Sequence, residues 1–275
     1  MIVQPDLPYA EVIGDPIAHS KSPLIHRHWL AGLGIAGDYR ATRVEADELG
    51  SFLDRRRADG NWRGCNVTIP HKQAVLPHLD VVDGRAAAIG AVNCIIPTSA
   101  GLVGYNTDVD GVAAALDETP LEGRKAAIIG AGGAARAALA YLAGRNSGTA
   151  ALLVRNPDKA RALEGSFSGK LVVGSFEGAM HLLDDAAAII NASPLGMTGC
   201  EPMPRELLAA VAAASKPTLL DMVYSPIETE FLSAARAQAV DGLTMLVGQA
   251  ARAFELFFGT RPPVADQALR DLLTA

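Results

Sequence analysis

Residues 125–144 read KAAIIGAGGAARAALAYLAG: a short apolar run, a glycine-rich turn, then an alanine-rich stretch of helical period. Gly130, Gly132 and Ala135 stand in GxGxxA spacing directly behind the run. Glycine lets such a turn close and lets backbone N–H groups approach a pyrophosphate, whose charge then faces a helix amino terminus. A glycine-rich turn by itself requires only small residues. The strand before this one and the helix behind it make it a dinucleotide cradle, formed by Gly130, Ala131, Gly132, Gly133 and Ala134.

The next strand ends in LLVRNPDKAR, residues 152–161. A cofactor with a free ribose 2′-hydroxyl calls for Asp or Glu there, and the chain offers Arg155 instead. A guanidinium can stack on adenine and pair with a 2′-phosphate, which favours NADP over NAD. The competing reading of Arg155 is a solvated surface arginine.

Working outward, strand-like runs recur at 125–130, 149–154, about 171–174, 186–190 and 217–222, separated by helical patterns. This is the alternation of a parallel α/β unit. The first hundred residues show the same alternation, from AEVIGD through SPLIHRHWLAGLG, DYRATRVE and ADELGSFLDRRRADG to WRGCNVTI. Near residue 90 it gives way to two extended runs, GAVNCIIP and GLVGYNTD, predicted to form a hairpin, with a helix starting at about Asp108. The closing stretch LTMLVGQAARAFELFFGTRPPVADQALRDLLTA reads as two helices around a Pro-Pro break, apolar enough to need a partner surface.

At 275 residues and 49% hydrophobic composition the chain can bury one large or two moderate cores. A formal charge of −6 provides no general basic field for nucleic acid or an anionic membrane. Cys65, Cys94 and Cys200 are odd in number and far apart, which argues against a disulfide framework and a CxxC metal site. With no signal-like amino terminus and no long apolar run, the expectation is a cytoplasmic protein. The sequence is compatible with a homodimer.

Nicotinamide chemistry on a carbonyl needs a proton donor. No Tyr has a Lys four residues later, and His26 and His28, two residues apart, point to different faces of a helix, so no metal set is expected. What remains is a group of polar residues at strand ends and turns of the first domain: AHSKSPLIH, GCNVTIPHK, GAVNC and GYNTDVDG. Singly, Ser20 and Ser22 read as helix caps, Asn93 as a strand-end residue and Asp108 as an N-cap. Four such sites in one domain point to a ligand.

Together with the cradle, these blocks resemble the shikimate dehydrogenase family: GDPIAHSKSPLIH, NVTIPHK, GAVN, GYNTD, GAGGAARA, NASPLGM, DMVYSP and GLTMLVGQAARAF occur in the family's order. The resemblance implies reversible, NADP-linked interconversion of 3-dehydroshikimate and shikimate on the route to chorismate and the aromatic amino acids. It implies that Ser20 and Ser22 bind the substrate carboxylate, that Thr68, Asn93, Tyr224 and Gln249 bind substrate, and that Lys72 is the acid/base catalyst. It further places Asp108 on a ring hydroxyl beside Lys72, and Met222 and Gly242 along the nicotinamide.

Four residues depart from the family pattern: Arg27 follows His26 where Asn is usual, Cys94 follows Asn93 where Thr is usual, and Val154 and Asn156 flank Arg155 where Asn and Thr are usual. The implied fold is α/β with two domains and a cleft between them. A substrate-binding domain spans 1–107, a Rossmann dinucleotide-binding domain spans 108–242, and helices over 243–275 pack back on the first. Two rivals share these motifs: an NAD-using quinate/shikimate dehydrogenase, and a catalytically silent NADP-binding sensor.

Overall fold

The computed structural model describes residues 7–160, 163, 165, 167–234 and 238–275. The chain divides into two units, Met1–Thr107 with Gln249–Ala275, and Asp108–Gly248. The second crossing therefore falls inside the helix Gly242–Phe258 rather than at its start.

The first unit is built on β1 (Tyr9–Gly14), β2 (Asp38–Arg43), β3 (Trp62–Val67), β4 (Val81–Val82), β5 (Cys94–Thr98) and β6 (Gly101–Tyr105). They form one sheet in the order β2-β1-β3-β5-β6-β4. β1 runs parallel to β2 and β3, with the helices Ser22–Leu33 and Leu49–Arg57 in the crossovers. Beyond β3 the pairings β3-β5 and β5-β6 are antiparallel, while β4 pairs parallel to β6 at the far edge; the expected hairpin is β5-β6, closed where Thr98 faces Gly101.

All six residues of β1 are buried, as befits a central strand covered on both faces. That puts the Glu11 carboxylate fully inside. It is tolerated because Arg56 Nε donates to Oε1 at 2.6 Å, Arg56 Nη2 to Oε2 at 3.2 Å, and the Thr42 hydroxyl to Oε2 at 2.5 Å. One face of the sheet packs Tyr9 and Ile13 with Phe52, Leu53, Trp62 and Ile95. The alternate residues Ala10 and Val12 pack on the other face with Tyr39, Cys94, Ala253 and Phe257. The apolar carboxy-terminal helix thus finds the partner surface its composition requires.

The second unit holds β7 (Lys125–Ile129), β8 (Thr149–Leu153), β9 (Lys170–Gly174), β10 (Ala188–Asn191), β11 (Thr218–Asp221) and β12 (Gln238–Val240). All pairings are parallel, in the order β12-β11-β10-β7-β8-β9. This is the doubly wound Rossmann order, in which the chain reverses direction across the sheet between β7 and β10. β12 has no counterpart in the sequence reading, because three residues with one β-branched side chain carry no periodicity. Among the described residues no helix is long and apolar enough to cross a membrane.

Candidate active site

Three substrate-side candidates of the first unit, Thr68, Lys72 and Asn93, collect at one edge of its sheet. β3 ends at Val67, and antiparallel pairing of Asn66 with Cys94 brings the start of β5, and Asn93 before it, to the same edge. Backbone bonds tie this edge together. Thr68 N–H donates to Ile13 C=O at 2.9 Å, Val67 N–H to Asn93 C=O at 2.8 Å, and Val92 N–H to Lys72 C=O at 2.8 Å. Lys72 sits half-buried in a four-residue helix, His71–Ala74, tied through its carbonyl to the segment entering β5. Pro70 is the N-cap of that helix.

Asn93 is 2% exposed. Its Oδ1 accepts from Thr107 N–H at 2.6 Å and its Nδ2 donates to Thr107 Oγ1 at 3.0 Å. The side chain therefore anchors the segment that leads into Asp108, the buried first residue of the helix Asp108–Leu116 in the second unit. Asn66 supports this arrangement: Tyr39 Oη donates to Asn66 Oδ1 at 2.6 Å, and Asn66 Nδ2 donates to the Asn93 carbonyl at 3.1 Å. Ser22 is the buried first residue of its helix, with Lys21 as N-cap, and its N–H donates to Ser20 Oγ at 3.3 Å. Gln249 is buried on the stripe that continues through Ala253 and Phe257, the helix face packed on the sheet.

The residues that look most reactive in GCNVTIPHK are inert by environment. Cys65 is fully buried and burial pushes its thiol well above the usual range. His71 is buried with Nε2 2.7 Å from the Val44 carbonyl. His26 is buried and stacked on Tyr39, ring centroids 3.9 Å apart and planes 5° apart, with neither ring nitrogen partnered. Burial pulls its pKa down to about 3, so it stays neutral. His28 is half-buried instead and lies 3.8 Å from Asp266. Two departures from the family pattern also resolve into structural contacts: Arg27 Nε pairs with Asp38 at 2.9 Å, and Cys94 is packed in the core. Among the described residues no group of three or more His, Cys, Asp or Glu is placed to hold a metal.

In the second unit the cofactor-side candidates lie at the carboxyl edge of the parallel sheet. Gly130 follows β7 with φ of +113°, and a Cβ there would meet the Ala192 carbonyl oxygen at 2.9 Å. Only glycine fits that turn. Gly132 differs: a Cβ would meet nothing within 4 Å, yet this residue is the N-cap of the helix Gly133–Gly144 and makes no side-chain cap. Its bare backbone leaves the helix's first N–H groups open to an anion, with Ala131, Gly133 and Ala134 adding no bulk. These features fit a pyrophosphate.

Across the same edge, Gly242 lies against the end of β11, where a Cβ would come 2.4 Å from the Val223 carbonyl. Met222 N–H donates to Asn191 C=O at 3.0 Å, and Tyr224, two residues on, is half-buried. A brace invisible in the sequence fixes these loops. Asn191 Nδ2 donates to Asp221 Oδ1 at 2.9 Å, Thr229 Oγ1 donates to Asp221 Oδ2 at 2.6 Å, and Val223 N–H donates to Asp221 Oδ1 at 2.9 Å. Burial raises the Asp221 carboxyl against the opposing pull of those bonds. Its only sequence signal is polar residues closing two apolar strands. Arg155 is exposed just beyond β8 and is engaged by Glu201. Beside it Val154 is buried, and Asn156 Oδ1 accepts from Asp158 N–H at 3.1 Å.

Two family models match the chain: the shikimate dehydrogenase substrate-binding domain over residues 12–95 and the shikimate 5′-dehydrogenase C-terminal domain over 242–266. A protein of Sphingopyxis alaskensis named shikimate dehydrogenase (NADP(+)) is 49% identical, covering 98% of this chain and 97% of that one. The chain belongs to the shikimate dehydrogenase family. Among solved structures, that of the Thermus thermophilus shikimate 5-dehydrogenase in complex with NADP(H) and shikimate is 33% identical with a TM-score of 0.83, covering 97% of this chain and 98% of that one. The Listeria monocytogenes enzyme in complex with shikimate and NAD is 28% identical with a TM-score of 0.86, covering 99% and 98%.

Proposed function

We propose that this chain catalyses the reversible NADP-linked reduction of 3-dehydroshikimate to shikimate, a step toward chorismate and the aromatic amino acids. The near-full-length identity to a curated shikimate dehydrogenase carries the reading. It is supported by a fold in which Thr68, Lys72 and Asn93 of the first unit share one sheet edge and the cradle of the second unit fits a dinucleotide. Neither rival is favoured: Arg155 speaks for a 2′-phosphate, and Lys72 and Asp108 are both present.

Gly130 to Ala134 and Arg155, with Met222 and Gly242 along the nicotinamide, would hold NADPH, which would supply the hydride. Lys72 donates a proton to the carbonyl oxygen of the substrate and takes it back in the reverse direction. Asp108 and Asn93 hold ring hydroxyls. Ser20 and Ser22 donate hydroxyl hydrogen bonds to the substrate carboxylate, binding an anion without adding net charge. Thr68, Tyr224 and Gln249 complete the substrate contacts. The working location is the cytoplasm, a reading supported by three cysteines that are all free thiols.

The decisive measurement is NADPH formation from NADP+ with shikimate, run beside NAD+ and quinate. Turnover with shikimate and NADP+ ahead of the other three combinations is expected. A preference for quinate with NAD+ would replace this reading with the quinate branch, and cofactor binding without turnover would replace it with a silent sensor.

A further inference from the structure

Arg155 already has an anionic partner. Nη1 donates to Glu201 Oε1 at 3.3 Å, and Nη2 makes a second, shorter bond to Oε2. Arg155 stands beyond the end of β8, and Glu201 lies in the loop after β10. Those two strands flank β7, so the pair joins the loops on either side of the strand that carries the glycine cradle. The Glu201 loop is itself braced. Gly196 N–H donates to Glu201 C=O at 2.8 Å, Cys200 N–H to Met197 C=O at 2.9 Å, and Thr198 N–H to Ser225 C=O at 2.8 Å. Arg155 and Glu201 are 58% and 68% exposed, which makes the pair weak and breakable.

We propose that Glu201 sets cofactor selectivity by competing with the 2′-phosphate of NADP for Arg155. This deepens the reading above and rests on its placement of the adenosine ribose at the end of β8. A 2′-phosphate must draw the guanidinium away from Glu201 and then bear a carboxylate held nearby by the braced loop. A 2′-hydroxyl has neither cost and can donate to that carboxylate, the interaction Asp or Glu provides in NAD-binding Rossmann units. Val154 and Asn156 put no second cation beside Arg155 to offset the competition. Glu201 therefore narrows the preference for NADP that Arg155 creates.

Calorimetric titration of the full chain tests this without turnover. Wild type, Glu201→Gln, Arg155→Ala and the double variant are each titrated with NADP+, NAD+ and adenosine 2′,5′-bisphosphate. Glu201→Gln should tighten NADP+ and the bisphosphate about two- to fivefold, the worth of one exposed ion pair, and leave NAD+ unchanged or slightly weaker. Arg155→Ala should weaken both 2′-phosphate ligands and abolish the gain from Glu201→Gln in the double variant. An unchanged NADP+ affinity in Glu201→Gln, equal tightening of NADP+ and NAD+, or a gain that survives without Arg155 would each overturn the proposal. If the expected binding pattern appears in a chain that does not oxidise shikimate, the selectivity role stands and the activity assigned above falls.

Discussion

The two candidate ligand-binding edges of this protein are made by opposite means. In the first unit polar side chains are held by other polar side chains: Tyr39 fixes Asn66, Asn66 fixes the Asn93 carbonyl, and Asn93 fixes Thr107. In the second unit the cradle works by having no side chains, through Gly130 at a φ closed to other residues and Gly132 with open space around it. The first arrangement suits a small polyol whose hydroxyls must be told apart. The second suits a pyrophosphate, which any backbone N–H can bind.

If that contrast is right, substitutions at the two edges should leave opposite fingerprints. Lys72→Ala should lower kcat about a thousandfold with a modest change in KM for shikimate, while thermal stability and NADP+ binding stay at wild-type levels. Steady-state kinetics with a melting curve checks this; unchanged turnover would remove Lys72 from the mechanism. Gly130→Ala should do the reverse. The methyl meets the Ala192 carbonyl at 2.9 Å in a positive-φ conformation, costing about 3 kcal/mol and taking NADP+ binding with it. A Gly130→Ala protein that melts and binds like wild type would erase the contrast.

A third outcome concerns the core under the substrate edge. His26 has its pKa lowered to about 3 in the folded protein, against roughly 6.5 when unfolded, so protons bind the unfolded chain more readily between those values. Its contribution is complete above pH 6.5 and is lost as pH falls toward 3, amounting to about 2 kcal/mol by pH 5. Urea unfolding at pH 7.5 and 5 should show that loss in the wild type and a smaller one in His26→Phe. An identical pH dependence in the two proteins would place the titration elsewhere.

The parts of the fold that repeat, or that require a particular residue type, were legible in the sequence. Strands of the second unit announced themselves as apolar runs at regular intervals, and the cradle as glycines at fixed spacing, since both depend on neighbours within a few residues. The short edge strand Gln238–Val240 had too few residues to show a period. Long-range side-chain pairs were not legible. Asn66 meets Asn93 only because β3 and β5 pair with Asn66 facing Cys94, and Arg155 meets Glu201 only because β8 and β10 flank β7. Nothing local in NVTIPHK or LLVRNPDKAR specifies either partner.

The smallest expected effect tests how the polar chain under the substrate edge is oriented. The Tyr39 hydroxyl is the donor that marks Asn66 Oδ1 as the acceptor end, which turns Nδ2 toward the Asn93 carbonyl. Tyr39→Phe removes that hydroxyl and keeps the ring stacked on His26. The amide of Asn66 should still hold its orientation, because a flip would set Oδ1 against the Asn93 carbonyl, acceptor against acceptor. The cost is then one buried acceptor left without its donor, about 1–2 kcal/mol in urea unfolding, with kcat within about twofold of wild type. A fall in kcat beyond about tenfold at that stability would mean that the tyrosine tunes the reacting groups themselves, and that the side chains of this edge act as one unit with Lys72 rather than as its scaffold.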